Sequence, residues 1–197
     1  MNNQTDTRSP ANCSSWTEFL YGLRTLVAAG EPGLHRSALN TDAASIFSIT
    51  DLVTYVQRNH NWLANSANLE IVSRKENTKM NALTSHFDSI LTGSGPDAAA
   101  VFLLDCYCSG DTIVINYLDR CWQSVGRLLD SIEDRLGLIC NCNTYLTRAY
   151  SQGFELHSDA HDVLVIQTQG SKLWQFHQRD TSSGSSCHKT PLANPLQ

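Results

Sequence analysis

Between residues 122 and 136, apolar side chains recur at Val125, Leu128, Leu129, Ile132 and Leu136. Arg127, Asp130, Glu133, Asp134 and Arg135 take the positions between them. That spacing predicts a helix with one buried stripe, and Gly137 ends it. On both sides the pattern changes to apolar, β-branched or aromatic runs, over 98–104 and 112–117 before the helix and over 138–146, 162–168 and 172–177 after it. Each reads as a strand. Ser109-Gly110-Asp111 reads as a hairpin turn between the first two runs, Ser151-Gln152-Gly153 as a turn, and Gly153 and Gly170 as glycines placed for turn geometry.

The first half is more helical. Ser15-Trp16-Thr17-Glu18 has the form of a capping box. Phe19, Leu20, Leu23, Leu26 and Val27 follow at helical spacing until Gly30 and Pro32. A second helix is expected from Thr50 or Asp51, with Leu52, Val53 and Val56 on one face, and a strand over 69–72. A short helix over 86–91 closes at Gly93-Ser94-Gly95-Pro96. Helices first and a β-rich block second predict an α+β fold rather than a doubly wound sheet. The expected divisions are a disordered leader over 1–15, a mainly helical part over 16–97, a β-rich domain over 98–177 and a disordered tail over 178–197.

With 197 residues, 41% hydrophobic and 17% charged, the chain has the makings of one globular domain and not of a disordered protein. A net charge of −5 argues against nucleic-acid binding through bulk charge. No apolar run is long enough for a membrane span, and residues 1–15 are too polar for a signal peptide, so a cytoplasmic protein is expected. Seven cysteines then read as free thiols. Cys106-Tyr107-Cys108 and Cys140-Asn141-Cys142 would each put two thiols on one face of a strand, which makes zinc a reading to be tested.

His157-x-Asp159 places an imidazole and a carboxylate on one side of an extended segment, as two legs of a two-His-one-carboxylate iron site are supplied. Around it, in order, stand Asn143-x-Tyr145, Ser151-Gln152-Gly153-Phe154, His161-Asp162-Val163 and Gln167-x-x-Gly170-x-Lys172-x-Trp174. This stretch resembles the JmjC-like cupin family that includes the ribosomal oxygenases, and the likeness is specific over about 110–177. The resemblance implies a double-stranded β-helix (cupin or jelly roll), here a partial one, behind N-terminal helices. It also implies Fe(II), 2-oxoglutarate as cosubstrate, O2, and hydroxylation of a protein side chain, a ribosomal protein being one class of substrate. By position, His157 and Asp159 would be the first two iron ligands. Lys172 would pair with the distal carboxylate of 2-oxoglutarate, and Asn143 and Tyr145 would line its pocket. His161 and Asp162 would hold supporting positions, and Trp174 would belong to the core.

The resemblance also implies a third ligand, a His on a late strand, and the sequence does not supply a clear one. His177 follows too soon after Lys172, and His188 stands in a Ser-rich stretch with no supporting pattern. The chain therefore reads as the front part of such an oxygenase, and whether it is an enzyme turns on that ligand. Beside the catalytic reading stand two others: a non-catalytic cupin serving as a binding or dimerisation module, with a homodimer covering the open sheet, and an unrelated α+β protein that binds zinc through its Cys-x-Cys pairs.

Overall fold

The computed structural model describes residues 16–29, 45–64, 68–73, 79–81, 95–155, 157 and 159–175. Helix α1 spans Trp16–Ala29 and α2 spans Ile49–Leu63. Strands β1 (Leu69–Val72) and β2 (Lys79–Asn81) follow, then α3 (Gly95–Ser109) and β3 (Thr112–Ile115). A short 3-10 turn, Leu118–Arg120, leads into α4 (Gln123–Leu136), and β4 is Thr144–Leu146. The strands form one antiparallel sheet in the order β2-β1-β3-β4. This is an α+β fold with a small antiparallel sheet. The sequence-expected leader, the 86–91 helix and the tail lie outside the described residues.

Local chemistry explains the helix ends. Ser48 caps α2: its Oγ accepts from the Asp51 amide at 3.3 Å, and Asp51 Oδ2 accepts from the Ser48 amide at 2.9 Å. This is a reciprocal box that satisfies two amides the helix itself leaves unpaired. Helix α4 ends at Gly137, whose φ of +69° lets its amide reach the Glu133 carbonyl at 2.8 Å. A Cβ there would meet no atom within 4 Å, so Gly137→Ala isolates the backbone penalty of a left-handed alanine. That penalty is about 1 kcal/mol. The expected result is a Tm roughly 2–4 °C lower by circular dichroism; an unchanged Tm would mean the residue leaves the left-handed region at little cost.

One face of the sheet is covered by helices. Leu69 and Ile71 of β1 and Ile113 and Ile115 of β3 pack with Leu52, Val56, Ala99 and Leu103 in the main core, and Leu146 of β4 packs against it. Phe47, Tyr55 and Trp122 meet edge-to-face beside them, at ring-centroid distances of 5.3 and 6.2 Å. A second, smaller cluster joins Phe19, Leu20 and Leu23 of α1 to Ile132 of α4. Alternation along the strands turns Glu70, Val72, Thr112, Val114 and Tyr145 to the other face.

Four expected strands differ in the structure. Residues 98–104, with the hairpin turn at 109–111, lie within and at the end of α3. The helix closes by bonds from Gly110 N to Tyr107 O and from Asp111 N to Cys106 O, both 3.1 Å. It packs on α2 and β3, and the apolar Val101 stands on its exposed side, so within 98–104 no polar stripe betrays the helical period. It also runs across the division drawn after residue 97.

The run 138–146 keeps only its last three residues as strand, because the segment before them is tied elsewhere. Glu133 Oε1 accepts from Cys140 N at 2.7 Å, and Asp119 Oδ1 accepts from Cys142 N at 2.9 Å. Cys142 O accepts from Leu118 N at 2.9 Å. Residues 162–168 are in no ladder among the described residues, and of 172–175 only Trp174 forms a bridge. Val163, Leu164 and Val165 stand exposed, while Ile166 packs against the second cluster.

Candidate functional site

Of the sequence-predicted residues, Tyr145 lies on the face of the sheet away from the core helices. Strand β4 pairs Tyr145 with Val114 of β3, which pairs in turn with Glu70 of β1, so the three share that face. Tyr145, half exposed, meets Phe154 edge-to-face at 5.6 Å, and Phe154 lies 5.6 Å from the His157 ring. A row of three rings thus leads from the sheet to the imidazole.

His157 Nε2 lies 3.7 Å from Asp159 Oδ2. Two donors on one first-row divalent ion, with bonds of about 2.1 Å, can stand no more than ~4.2 Å apart, so this pair is within the span of a single ion. The other ring nitrogen fixes the tautomer. His157 Nδ1 is 2.7 Å from the Glu155 carbonyl, which can only accept, so Nδ1 carries the hydrogen. Nε2 is then left facing the Asp159 carboxylate. Both side chains are about half exposed, at 57% and 46%, open to a ligand from solvent.

Lys172 lies along a different part of the same segment. Its Nζ sits 5.2 Å from the Trp174 ring centroid, and burial pushes its pKa down. A Cβ placed on Gly153 would be 3.5 Å from Lys172 Nζ and 3.5 Å from Thr147 Oγ1. Thr147 Oγ1 is in turn 3.0 Å from Thr112 Oγ1, and Thr112 is buried. Thr147 and Gly153 were not singled out by sequence reasoning as ligand contacts; the register that sets Thr147 beside Thr112 is the signal that finds them. Gly170 has φ +70°, as its turn role requires, whereas Gly153 is not among the left-handed glycines, so turn geometry does not explain it.

Asn143 Oδ1 accepts from the Tyr117 amide at 3.3 Å, steadying a residue held at φ +57°. His161, exposed, has Nδ1 3.2 Å from the Asp162 carbonyl and does not join His157 and Asp159. Among the described residues no three His, Cys, Asp or Glu side chains converge as a metal cluster, and His177 and His188 lie outside them.

The cysteine pairs do not form the strand chelates considered above. Cys106 and Cys108 are on α3, where residues two apart diverge. Cys142 packs on the main core and Cys140 on the second cluster. Burial, the Asp111 and Asp105 carboxylates push the Cys106 thiol up to about 11, and burial with Asp119 does the same for Cys142. Since the thiolate is the reactive form, both should label slowly with a disulfide reagent at pH 8 while exposed Cys108 labels fast. Peptide mass mapping checks this; equal rates would contradict the burial.

Residues 116–195 match the JmjC domain. Over this stretch the chain is similar to JmjC proteins of the ribosomal-oxygenase type. Among curated proteins, the chain is 25% identical over 167 residues to the bifunctional lysine-specific demethylase and histidyl-hydroxylase NO66 of Caenorhabditis elegans, an alignment covering 85% of this chain and 20% of that protein. It is 27% identical over 103 residues to ribosomal oxygenase 1 of Gallus gallus, covering 51% and 17%. To ribosomal oxygenase 1 of Rattus norvegicus it is 33% identical over 69 residues, covering 34% and 12%. The aligned part is thus a fifth or less of these relatives' lengths. No solved structure matches. No helix among the described residues is long and apolar enough to cross a membrane.

Proposed function

We propose that the chain carries part of the site of a JmjC-type, Fe(II)- and 2-oxoglutarate-dependent protein hydroxylase, with its β-rich half corresponding to part of a double-stranded β-helix. The observation that carries this reading is the pairing of His157 Nε2 with Asp159 Oδ2 at 3.7 Å, with Nδ1 already committed to the Glu155 carbonyl. Nitrogen and carboxylate donors suit ferrous iron, and the fixed tautomer presents a lone pair to it. Bound iron supplies the activation of O2 coupled to oxidative decarboxylation of 2-oxoglutarate.

The chain's own residues account for binding and orientation. Asp159 offsets the charge of the ion and His157 adds a neutral donor. Lys172, already stripped of part of its hydration, is the cation for the cosubstrate's distal carboxylate. Tyr145 and Phe154 line the flank beside His157 with aromatic rings. A protein side chain is the substrate class, by analogy with relatives named as ribosomal oxygenases and as a histidyl-hydroxylase.

The test is anaerobic titration of the chain with Fe(II) and 2-oxoglutarate, reading the visible charge-transfer band of the ternary complex. A saturable band that is lost in His157→Ala, Asp159→Ala and Lys172→Ala is expected. No band at any protein concentration would overturn the catalytic reading and leave a non-catalytic binding module. Sedimentation of the same preparation reads the homodimer.

A further inference from the structure

The stretch that leads to Lys172 is in no ladder over 162–168 among the described residues, so contacts of another kind hold it in place. Two of them are with the helices. Ile166 packs against the cluster that joins α1 to α4. Three residues on, Gln169 reaches the start of α2, where its Oε1 accepts from the Ile49 amide at 3.1 Å, across 120 residues of sequence. Gln167 Nε2 donates to the Gln169 carbonyl at 2.8 Å and braces the turn, and Gly170, at φ +70°, directs the chain on to Lys172.

The start of a helix calls for such an acceptor, because its first amides have no partner inside the helix. In α2, Ser48 takes the Asp51 amide with its side chain and the Leu52 amide with its carbonyl. Ile49, the first helical residue, is served instead by Gln169. A backbone N–H can only donate, so Gln169 presents its oxygen to it, and the positive end of the helix dipole favours that sense. We infer that Gln169 is a positioning residue, whose bond to α2 fastens the 167–170 turn to the helical half and so sets where Lys172 stands. For its consequence at the site the inference rests on the reading of Lys172 as the cosubstrate's cation, and it gives the N-terminal helices a share in that site.

The experiment uses the full chain and two readings. Gln169→Met keeps the length of the side chain and removes the acceptor, while the backbone carbonyl that Gln167 holds is unchanged. Trypsin cleavage after Lys172, mapped by peptide mass, reads local opening of the segment. Anaerobic calorimetry of 2-oxoglutarate into the Mn(II)-loaded chain reads the placement of the cation. Gln169→Met should weaken 2-oxoglutarate roughly two- to tenfold, the size of one hydrogen bond between uncharged groups, and speed the cleavage by a similar factor. Mn(II) alone should bind within about twofold of the unchanged chain, because His157 and Asp159 precede the anchor at Ile166. Ile49→Pro removes the same bond from its other end. Proline suits a first helical position, and Ser48, at φ −122° and ψ 170°, already has the extended backbone that a residue before proline needs. In that background Gln169→Met should change neither reading further, as for two partners in one bond. Thermal melts show that each variant folds.

If Gln169→Met is cut and binds 2-oxoglutarate like the unchanged chain, the inference falls and the function proposed above stands. It falls equally if Gln169→Met has its full effect in the Ile49→Pro background, since Gln169 would then act by a route other than α2. If the unchanged chain does not bind 2-oxoglutarate, that function falls, and the cleavage rates in the two backgrounds decide whether Gln169 fastens the turn.

Discussion

Removing the Asp159 carboxylate is expected to weaken divalent-metal binding by at least about a hundredfold, since even the outer partners of metal ligands are worth roughly 10–100-fold. Asp159 supplies the charge of the pair, and without it His157 offers a single neutral donor at a half-exposed position. His157→Ala should do comparable harm, and the double variant little more than either alone, because two legs of one chelate act as a unit. Anaerobic calorimetry with Mn(II), which does not oxidise during the titration, reads the affinity without turnover. Unchanged Mn(II) affinity in Asp159→Ala would place the ion somewhere other than this pair.

The largest effect on stability is expected from Leu103→Ala. Leu103 is fully buried on α3, in the cluster that joins α2 to β1 and β3. Its truncation leaves a cavity between two helices and a sheet, none of which can close on it without moving the other two. A loss of about 3 kcal/mol follows, within the 2–5 kcal/mol of buried leucine truncations. Urea unfolding should show a lower midpoint with the slope unchanged. A loss below about 1 kcal/mol would mean that the three layers repack around the gap.

What the sequence discloses depends on how each element is buried. Helix α4 has one wet face, so its stripe is plain and its end at Gly137 is found to the residue. Strand β1 is equally plain, a short apolar run with polar flanks. Helix α3 is hidden because Val101 on its open side is apolar too, and a run such as 98–104 then carries the same letters as a buried strand. The run 162–168 fails for the opposite reason: its residues suit a strand, and no described strand lies alongside to pair with it.

The site follows the same logic. His157 and Asp159 meet because they are two residues apart on extended chain, a relation visible in the sequence. Lys172 is recognised only through the family's pattern, because an isolated lysine on an extended run says nothing by itself. Thr147 and Gly153 come together with it only through the β3–β4 register and the return of the chain after residue 150, and no local rule contains that information.

Among the described residues the helices cover one face of the sheet, and this has a further consequence. Leu69, Ile71, Ile113 and Ile115 settle their energy against α2 and α3, whereas Tyr145, Phe154, His157 and Asp159 stand on or beyond the opposite face. Architecture and chemistry are therefore underwritten by separate sets of side chains, unlike small zinc modules whose metal is also their core. Substitution of His157 or Asp159 is therefore expected to leave the fold standing, so the chemistry at that pair can be explored by mutation without the scaffold having to be rebuilt.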